Sequence, residues 1–124
     1  MAPSEHIKRI QNASRDLVNE PEAKLKSLNE FTKSVEPEGK PWRIVIESRG
    51  LSIIKEFFYD NDTVAVNSLG LLNALQETAD HHSDFRFENF RRLTVTLTTH
   101  DPRWGLSEKD FVMAEVLTKI LMQK

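Results

Sequence analysis

Apolar residues and threonines alternate along one segment of the chain, whereas two other segments carry apolar residues at helical spacing. The alternating segment is RRLTVTLTT, residues 91–99, and its period of two is that of a strand with one buried face. Spacings of three and four residues predict two amphipathic helices. Their apolar positions are Val64, Leu71, Leu72, Leu75 and Ala79 in one and Phe111, Ala114, Leu117 and Leu121 in the other. The chain is therefore expected to combine helices with a sheet.

Side chains that can cap a helix precede both helical segments. Asp60-Asn61-Asp62 stands before the first and offers oxygens to the unpaired amides of a first turn. This predicts a helix over about 62–80. Ser107, followed three residues later by Asp110, resembles a capping box with Asp in place of the usual Glu. It predicts the start of the last helix.

Two pairs of segments read as β-hairpins because they are rich in β-branched and aromatic residues and are joined by short turns. The segments are WRIVIES at 42–48 and LSIIKEFFY at 51–59, with a turn at Arg49-Gly50, and FRFE at 85–88 followed by 91–99. Hairpins give an antiparallel sheet, and amphipathic helices bury their apolar stripes against one face of it. The predicted fold is α+β, a two-layer sandwich with a four-stranded antiparallel sheet, helices packed on one face and the order α-ββ-α-ββ-α.

The first forty residues are charged and are interrupted by prolines. Weak helical periodicity predicts two short helices joined near Pro21. The apolar positions are Ile7, Ile10 and Leu17 for the first and Leu25, Leu28 and Phe31 for the second. A chain of 124 residues can bury one core. We expect 22–124 to form a single domain and 1–21 an N-terminal extension that is partly helical or frayed.

Composition and charge narrow the classes of function. A net charge of −2 lacks the basic footprint that binding to a phosphate backbone requires, so direct nucleic-acid binding is not expected. The chain has no cysteine, which excludes disulfides and thiolate sites. No apolar run approaches the roughly 20 residues that span a bilayer. We expect an unprocessed cytoplasmic protein with no membrane segment.

Two of the four histidines are adjacent, in ETADHHSDF at 77–85. Glu77 and His81 are four residues apart, so on a helix the carboxylate can hold that imidazole. His82 would project about 100° further round. His100 directly follows the threonine-rich strand, which could carry it towards the same helix end. His6 lies in a polar terminal stretch and is expected to be a solvated surface residue.

These histidines admit three interpretations. They could act as an acid/base group, because imidazole titrates near neutral pH. They could be polar residues that close a helix and a strand. Together with Glu77, Asp80 or Asp101 they could also hold a catalytic zinc, although zinc ligands on one helix are usually four residues apart rather than adjacent. No glycine-rich phosphate loop or nucleophile-elbow serine is present.

The spacing of these residues resembles the signature of the pterin-4a-carbinolamine dehydratase family, also known as a dimerisation cofactor of a homeodomain transcription factor. That signature joins an acidic residue, a His-His pair, a small residue, an aromatic residue, a third histidine and a downstream aspartate. The matching positions are Glu77, His81, His82, Ser83, Phe90, His100 and Asp110. The resemblance covers about residues 22–124. The loop HDPRWG at 100–105 is one residue longer than in the animal members.

The resemblance implies an enzyme that needs neither a cofactor nor a metal. Its substrate would be 4a-hydroxytetrahydropterin, the carbinolamine left by an aromatic amino-acid hydroxylase, and its product the quinonoid dihydropterin. His81 and His100 would be the principal acid/base residues, and His82 would complete the pocket. Glu77 would orient His81.

The resemblance also implies further contacts and partners. Ser83 and the segment Thr99 to Pro102, including Asp101, would line the substrate pocket. Asp110 is read first as a cap of the last helix, and Trp42 as either a pocket wall or a core residue. The family assembles as homodimers or homotetramers. The alternative to an enzyme is a non-catalytic dimerisation module with a transcription-factor partner, which would extend the location to the nucleus.

Overall fold

The computed structural model describes residues 3–121, with side chains from residue 5 onward. Within them four helices and four strands alternate as expected. Their bounds are α1 Pro3–Asn12, α2 Pro21–Val35, β1 Arg43–Ile46, β2 Leu51–Phe58, α3 Asp62–Ala79, β3 Asp84–Glu88, β4 Arg92–Leu97 and α4 Glu108–Leu121. The predicted α+β class and the order α-ββ-α-ββ-α are confirmed. Of the helices described, none has the length and apolar character needed to cross a membrane.

The four strands form one antiparallel sheet in the order β1-β2-β4-β3. On its covered face Ile53 pairs with Leu97 and Phe57 with Leu93, and all four are buried against the helices. Both predicted hairpins are therefore confirmed. The first turn lies one residue earlier than predicted, because Glu47 and Gly50 exchange backbone hydrogen bonds of 3.0 and 3.3 Å around Ser48 and Arg49.

Trp42 belongs to the core, which decides between its two interpretations. Its side chain is 1% exposed. The indole Nε1 donates to Thr118 Oγ1 on α4 at 2.8 Å, and the ring meets Phe57 edge to face with centroids 6.2 Å apart. A buried indole needs such a partner for its N–H. The residue ties the start of the sheet to the last helix.

Helix α3 begins and ends where its capping residues dictate. The side chain of Asn61 accepts hydrogen bonds from the amides of Thr63 and Val64, which are unpaired donors of the first turn. At the other end Asp80 adopts a left-handed conformation with φ 53°. The helical path stops there, so the following histidines leave the helix axis.

Helix α1 is shorter than its apolar pattern predicts. It ends at Asn12, and Leu17 instead forms an isolated bridge with Ser107 just before α4. The expectation of a solvated His6 is wrong, because its side chain is only 7% exposed. Helix α1 packs against α3 and α4, and Ile10, one helical turn after His6, is fully buried on the same face.

Candidate active site

The first histidine of the adjacent pair is held by the last helix. His81 Nε2 lies 2.7 Å from Asp110 Oδ1. The His81 side chain is 9% exposed and that of Asp110 is fully buried. Asp110 stands in the first turn of α4, whereas His81 directly follows the C-cap of α3. Two elements distant in sequence therefore build the contact.

The second carboxylate oxygen of Asp110 is also fully engaged. Oδ2 accepts a 2.8 Å hydrogen bond from Thr99 Oγ1 and a 2.9 Å bond from the Ser107 amide. The hydroxyls of Thr99 and Ser107 lie 2.6 Å apart. The bond to the Ser107 amide is the reciprocal half of a capping box, as predicted. Asp110 thus caps α4 with one oxygen and holds His81 with the other.

The predicted contact between Glu77 and His81 is wrong. It required both residues to stay on one helical face, but the left-handed residue Asp80 ends α3 between them. Glu77 Oε1 instead lies 3.4 Å from His82 Nε2, with side chains 68% and 52% exposed. A pair this exposed and this long is weak. The second histidine therefore faces solvent beside an exposed carboxylate rather than a fixed one.

A buried glutamine fixes the chain directly after the paired histidines. Gln76 is 5% exposed, and its Oε1 accepts hydrogen bonds from both the amide and the hydroxyl of Ser83, at 3.1 and 2.9 Å. The sequence carried no signal for Gln76, because glutamine on a helix is usually solvated. These bonds set where the chain leaves α3, and hence where His81 points.

The third histidine stands one residue beyond the Asp110 network. Thr99 and Gly105 exchange backbone hydrogen bonds of 2.8 and 2.9 Å, which closes the loop 100–104. His100 is exposed and stacks on Trp104, with ring centroids 3.9 Å apart and planes 10° apart. Asp101 and Pro102 are exposed at the tip of the loop. Trp104 was not identified from the sequence, since nothing local pairs it with His100.

The arrangement suits proton transfer. A buried carboxylate whose other oxygen already accepts from Thr99 and Ser107 acts as an acceptor towards His81 Nε2. With that nitrogen carrying its proton towards Asp110, the lone pair of Nδ1 is left for a substrate, as in other aspartate–histidine pairs. Within residues 5–121, no three His, Asp or Glu side chains converge as a metal ion would require.

Known proteins are similar to this chain in both sequence and fold. The family model described as pterin 4 alpha carbinolamine dehydratase matches residues 24–120. A relative from Prochlorococcus marinus, provisionally named pterin-4-alpha-carbinolamine dehydratase, is 31% identical over 56% of this chain and 72% of its own. One from Chloroflexus aggregans with the same provisional name is 36% identical over 56% and 71%. Both alignments extend over most of the relative's length.

One solved structure has the same fold. It is described as a transcriptional coactivator/pterin dehydratase from Brucella melitensis, and it superposes with a TM-score of 0.62 over 86% of this chain and 99% of that one. Its sequence identity is 24%. The agreement extends to nearly the whole of the compared domain.

Proposed function

Because the chain belongs to the pterin-4a-carbinolamine dehydratase family, we propose that it removes water from a 4a-hydroxytetrahydropterin and releases the quinonoid dihydropterin. The observation that carries this proposal is the 2.7 Å contact between His81 and Asp110. It would hold a histidine of the family signature in one orientation and favour the tautomer whose Nε2 proton points at the carboxylate. Acid/base catalysis needs both, and it contributes about 10²–10⁴-fold to the rates of enzymes.

The reaction requires two proton transfers and no redox partner. The bond from carbon 4a to the hydroxyl oxygen breaks, and the oxygen leaves as water after it receives a proton. The adjacent ring N–H loses its proton, and its electron pair forms the new C=N bond. His81 would accept the ring proton through Nδ1, since Nε2 is engaged by Asp110. His100 would donate to the leaving oxygen, and His82 would contact the pterin.

The remaining predicted contacts belong to the same proposal. Glu77 would act through His82, the residue that it approaches. Ser83, Thr99, Asp101 and Pro102 would border the pterin, mostly through backbone groups, because Thr99 Oγ1 is already bonded to Asp110. The physiological role would be the recycling, without a cofactor, of the pterin used by aromatic amino-acid hydroxylases in the cytoplasm.

We also propose that the chain forms homodimers or homotetramers. The strands β1 and β3 are the edges of the sheet, and edge strands offer unpaired backbone groups to a partner. Phe85 on β3 is 46% exposed, which adds apolar area at one edge. Light scattering on the purified protein measures the assembly. A monomer at micromolar concentration would contradict this proposal.

The central experiment follows carbinolamine breakdown by ultraviolet absorbance. The purified, metal-stripped protein should accelerate it, and His81→Ala should abolish most of the acceleration. His6→Ala is a matched control, because it removes another buried histidine that lies on α1 outside the site. Full activity after His81→Ala and His100→Ala together would contradict the proposal.

The alternative function, a dimerisation module for a transcription factor, makes the opposite prediction. The Brucella melitensis protein is described as a transcriptional coactivator as well as a pterin dehydratase. A module of this kind would keep its partner after both histidine substitutions. Activity loss with the partner retained would separate the two functions.

A further inference from the structure

His100 lacks the support that His81 receives. The ring of His81 is buried and is bonded to Asp110. His100 is exposed, and in the described part of the chain its ring has no hydrogen-bond partner. An exposed imidazole can turn about two side-chain torsions, which sample several rotamers in solution. Some other contact must hold it if it is to meet a bound pterin in one orientation.

Trp104 supplies that contact through the geometry of its loop. The backbones of Thr99 and Gly105 are paired. This pairing places His100, which follows Thr99, opposite Trp104, which precedes Gly105. Their rings stack at 3.9 Å with planes 10° apart. Offset stacking of aromatic rings is one of their preferred arrangements, and it restricts the relative orientation of the two rings. The imidazole of His100 thus lies flat against the indole of Trp104.

The indole is itself fixed from the neighbouring turn. The guanidinium carbon of Arg49 lies 5.0 Å from the centroid of the Trp104 ring, within the range of a cation–π interaction. Gly50 comes so close that an added Cβ would lie 2.6 Å from the Trp104 carbonyl oxygen and 3.1 Å from its ring. Only glycine fits there, and its φ of 156° is one that other residues rarely adopt. The β1–β2 turn therefore determines where the indole lies.

We propose that Trp104, held by Arg49 and Gly50 of the β1–β2 turn, is a positioning residue for His100. This inference rests on the proposed dehydratase function, in which His100 transfers a proton to the leaving oxygen. Trp104 does not touch the reacting atoms in this scheme. It limits the imidazole to one orientation, so that less freedom is lost when the transition state forms.

The test compares Trp104→Leu with Trp104→Phe. Leucine keeps an apolar side chain but removes the stack, and should lower kcat about tenfold with little change in KM, because orientation matters most at the transition state. Phenylalanine keeps a ring and should recover most of the rate. Phe58→Leu is the matched control, since Phe58 is 52% exposed on the uncovered face of the sheet.

A double-mutant cycle shows whether Trp104 acts through His100. In a His100→Ala background, Trp104→Leu should have almost no further effect, because residues that act as one unit are not additive. An undiminished tenfold loss in that background would overturn the inference. Gly50→Ala offers a second way to displace the indole, and should reproduce the effect of Trp104→Leu.

A spectroscopic measurement keeps this test separate from that of the proposed function. Stacking on an indole moves the His100 ring-proton resonances upfield, whether or not the protein is a dehydratase. The shift should vanish in Trp104→Leu and persist in Trp104→Phe. If the unaltered protein has no activity, the proposed function fails. Separately, an upfield shift that is the same in all variants overturns the positioning role. Loss of the shift with unchanged kcat also overturns it.

Discussion

His81 Nε2 and Asp110 Oδ1 are 2.7 Å apart although the two residues are separated by 29 positions in the chain. The sequence predicted that the carboxylate of Glu77 holds this imidazole. That carboxylate contacts His82 instead. A buried, fully bonded carboxylate holds its orientation, whereas an exposed one is averaged by solvent. The carboxylate that holds His81 is therefore on α4 and not on α3, the helix that ends just before it.

Asp110→Asn should lower kcat by about 10²-fold with only a small loss of stability. The amide oxygen can still accept from the Ser107 amide, so the cap survives. The amide nitrogen would then face His81 Nε2 and favour the tautomer whose proton is on Nδ1, which blocks that atom as a base. Stopped-flow absorbance measures kcat, and nitrogen chemical shifts of His81 report the tautomer.

Glu108→Gln is the control for that substitution. Glu108 lies in the same turn but pairs with Lys24 on the surface at 2.7 Å. Its effect on kcat should stay within about twofold, as is usual for an exposed ion pair. If Asp110→Asn were no more harmful than Glu108→Gln, the role given to the contact between His81 and Asp110 would be wrong.

Glu77→Gln should act mainly on substrate binding. Its 3.4 Å contact with His82 is exposed, and such pairs contribute roughly 0–1 kcal/mol. We expect KM to rise a few-fold while kcat stays within about threefold. Steady-state kinetics separate the two constants. A loss in kcat comparable with that of Asp110→Asn would instead support the role predicted from the sequence, in which Glu77 orients His81.

Stability should fall as the pH decreases below about 6.5 because of His6. Burial lowers the pKa of His6 from its usual 6.5, and the charges of Lys119 and Arg9 lower it further, against a smaller opposite effect of Glu5. Below about pH 6.5 the unfolded chain therefore binds a proton at this histidine that the folded chain does not bind. The loss of stability levels off only below the lowered pKa of the folded state. No partner meets His6 Nδ1 within the described residues.

His6→Phe should flatten that pH dependence. Urea unfolding of both proteins between about pH 8 and about pH 5.5 gives the difference in unfolding free energy, which should grow in favour of the variant as the pH falls. A constant difference across this range would show that His6 does not contribute. The titration of carboxylates changes the unfolding free energy of both proteins equally, so it cancels in the difference between them.

Lys109→Met should weaken the attachment of α1 to the domain. Lys109 is 3% exposed, and its Nζ donates to the carbonyls of Ile10 and Gln11 at 2.5 and 3.1 Å, in the last turn of α1, where carbonyls lack the regular helical partner. Losing these bonds should cost about 1–3 kcal/mol of unfolding free energy. Urea titration gives the cost, and limited proteolysis should then cut within the N-terminal extension.

Lys24→Met provides the comparison for Lys109→Met. The Lys24 side chain is 45% exposed, so its loss should change stability by less than about 0.5 kcal/mol. Deletion of residues 1–20 should destabilise more than either substitution. It also removes the bond from the Val18 amide to the Leu106 carbonyl and the bond from the Lys109 amide to the Ser14 carbonyl. An unchanged stability would make the extension dispensable.

The secondary structure of the periodic segments was predicted correctly because their local signals agree with the fold. The alternation in 92–97 matches the buried residues Leu93, Val95 and Leu97, and the Asn61 cap begins α3 where it was predicted. The stripe from Phe111 to Leu121 is buried as expected. Each of these features depends on neighbours within a few residues, which a sequence displays directly.

Single-residue surprises arise where distant elements meet. Lys55 resembles an ordinary strand lysine, yet it is 1% exposed with Nζ 2.8 Å from Glu36 Oε1. His6 is buried because α3 and α4 cover its face of α1. Neither fact is present in local periodicity, since both depend on which elements pack together.

The sequence by itself determined the order of the elements, the apolar faces and the set of histidines that the family signature joins. The tertiary structure decided which carboxylate serves which imidazole. One left-handed residue, Asp80, turns the chain off the α3 axis and breaks the four-residue relation between Glu77 and His81. The start of α4 lies beside Thr99, directly after β4, and only this packing brings Asp110, bonded to Thr99, to His81.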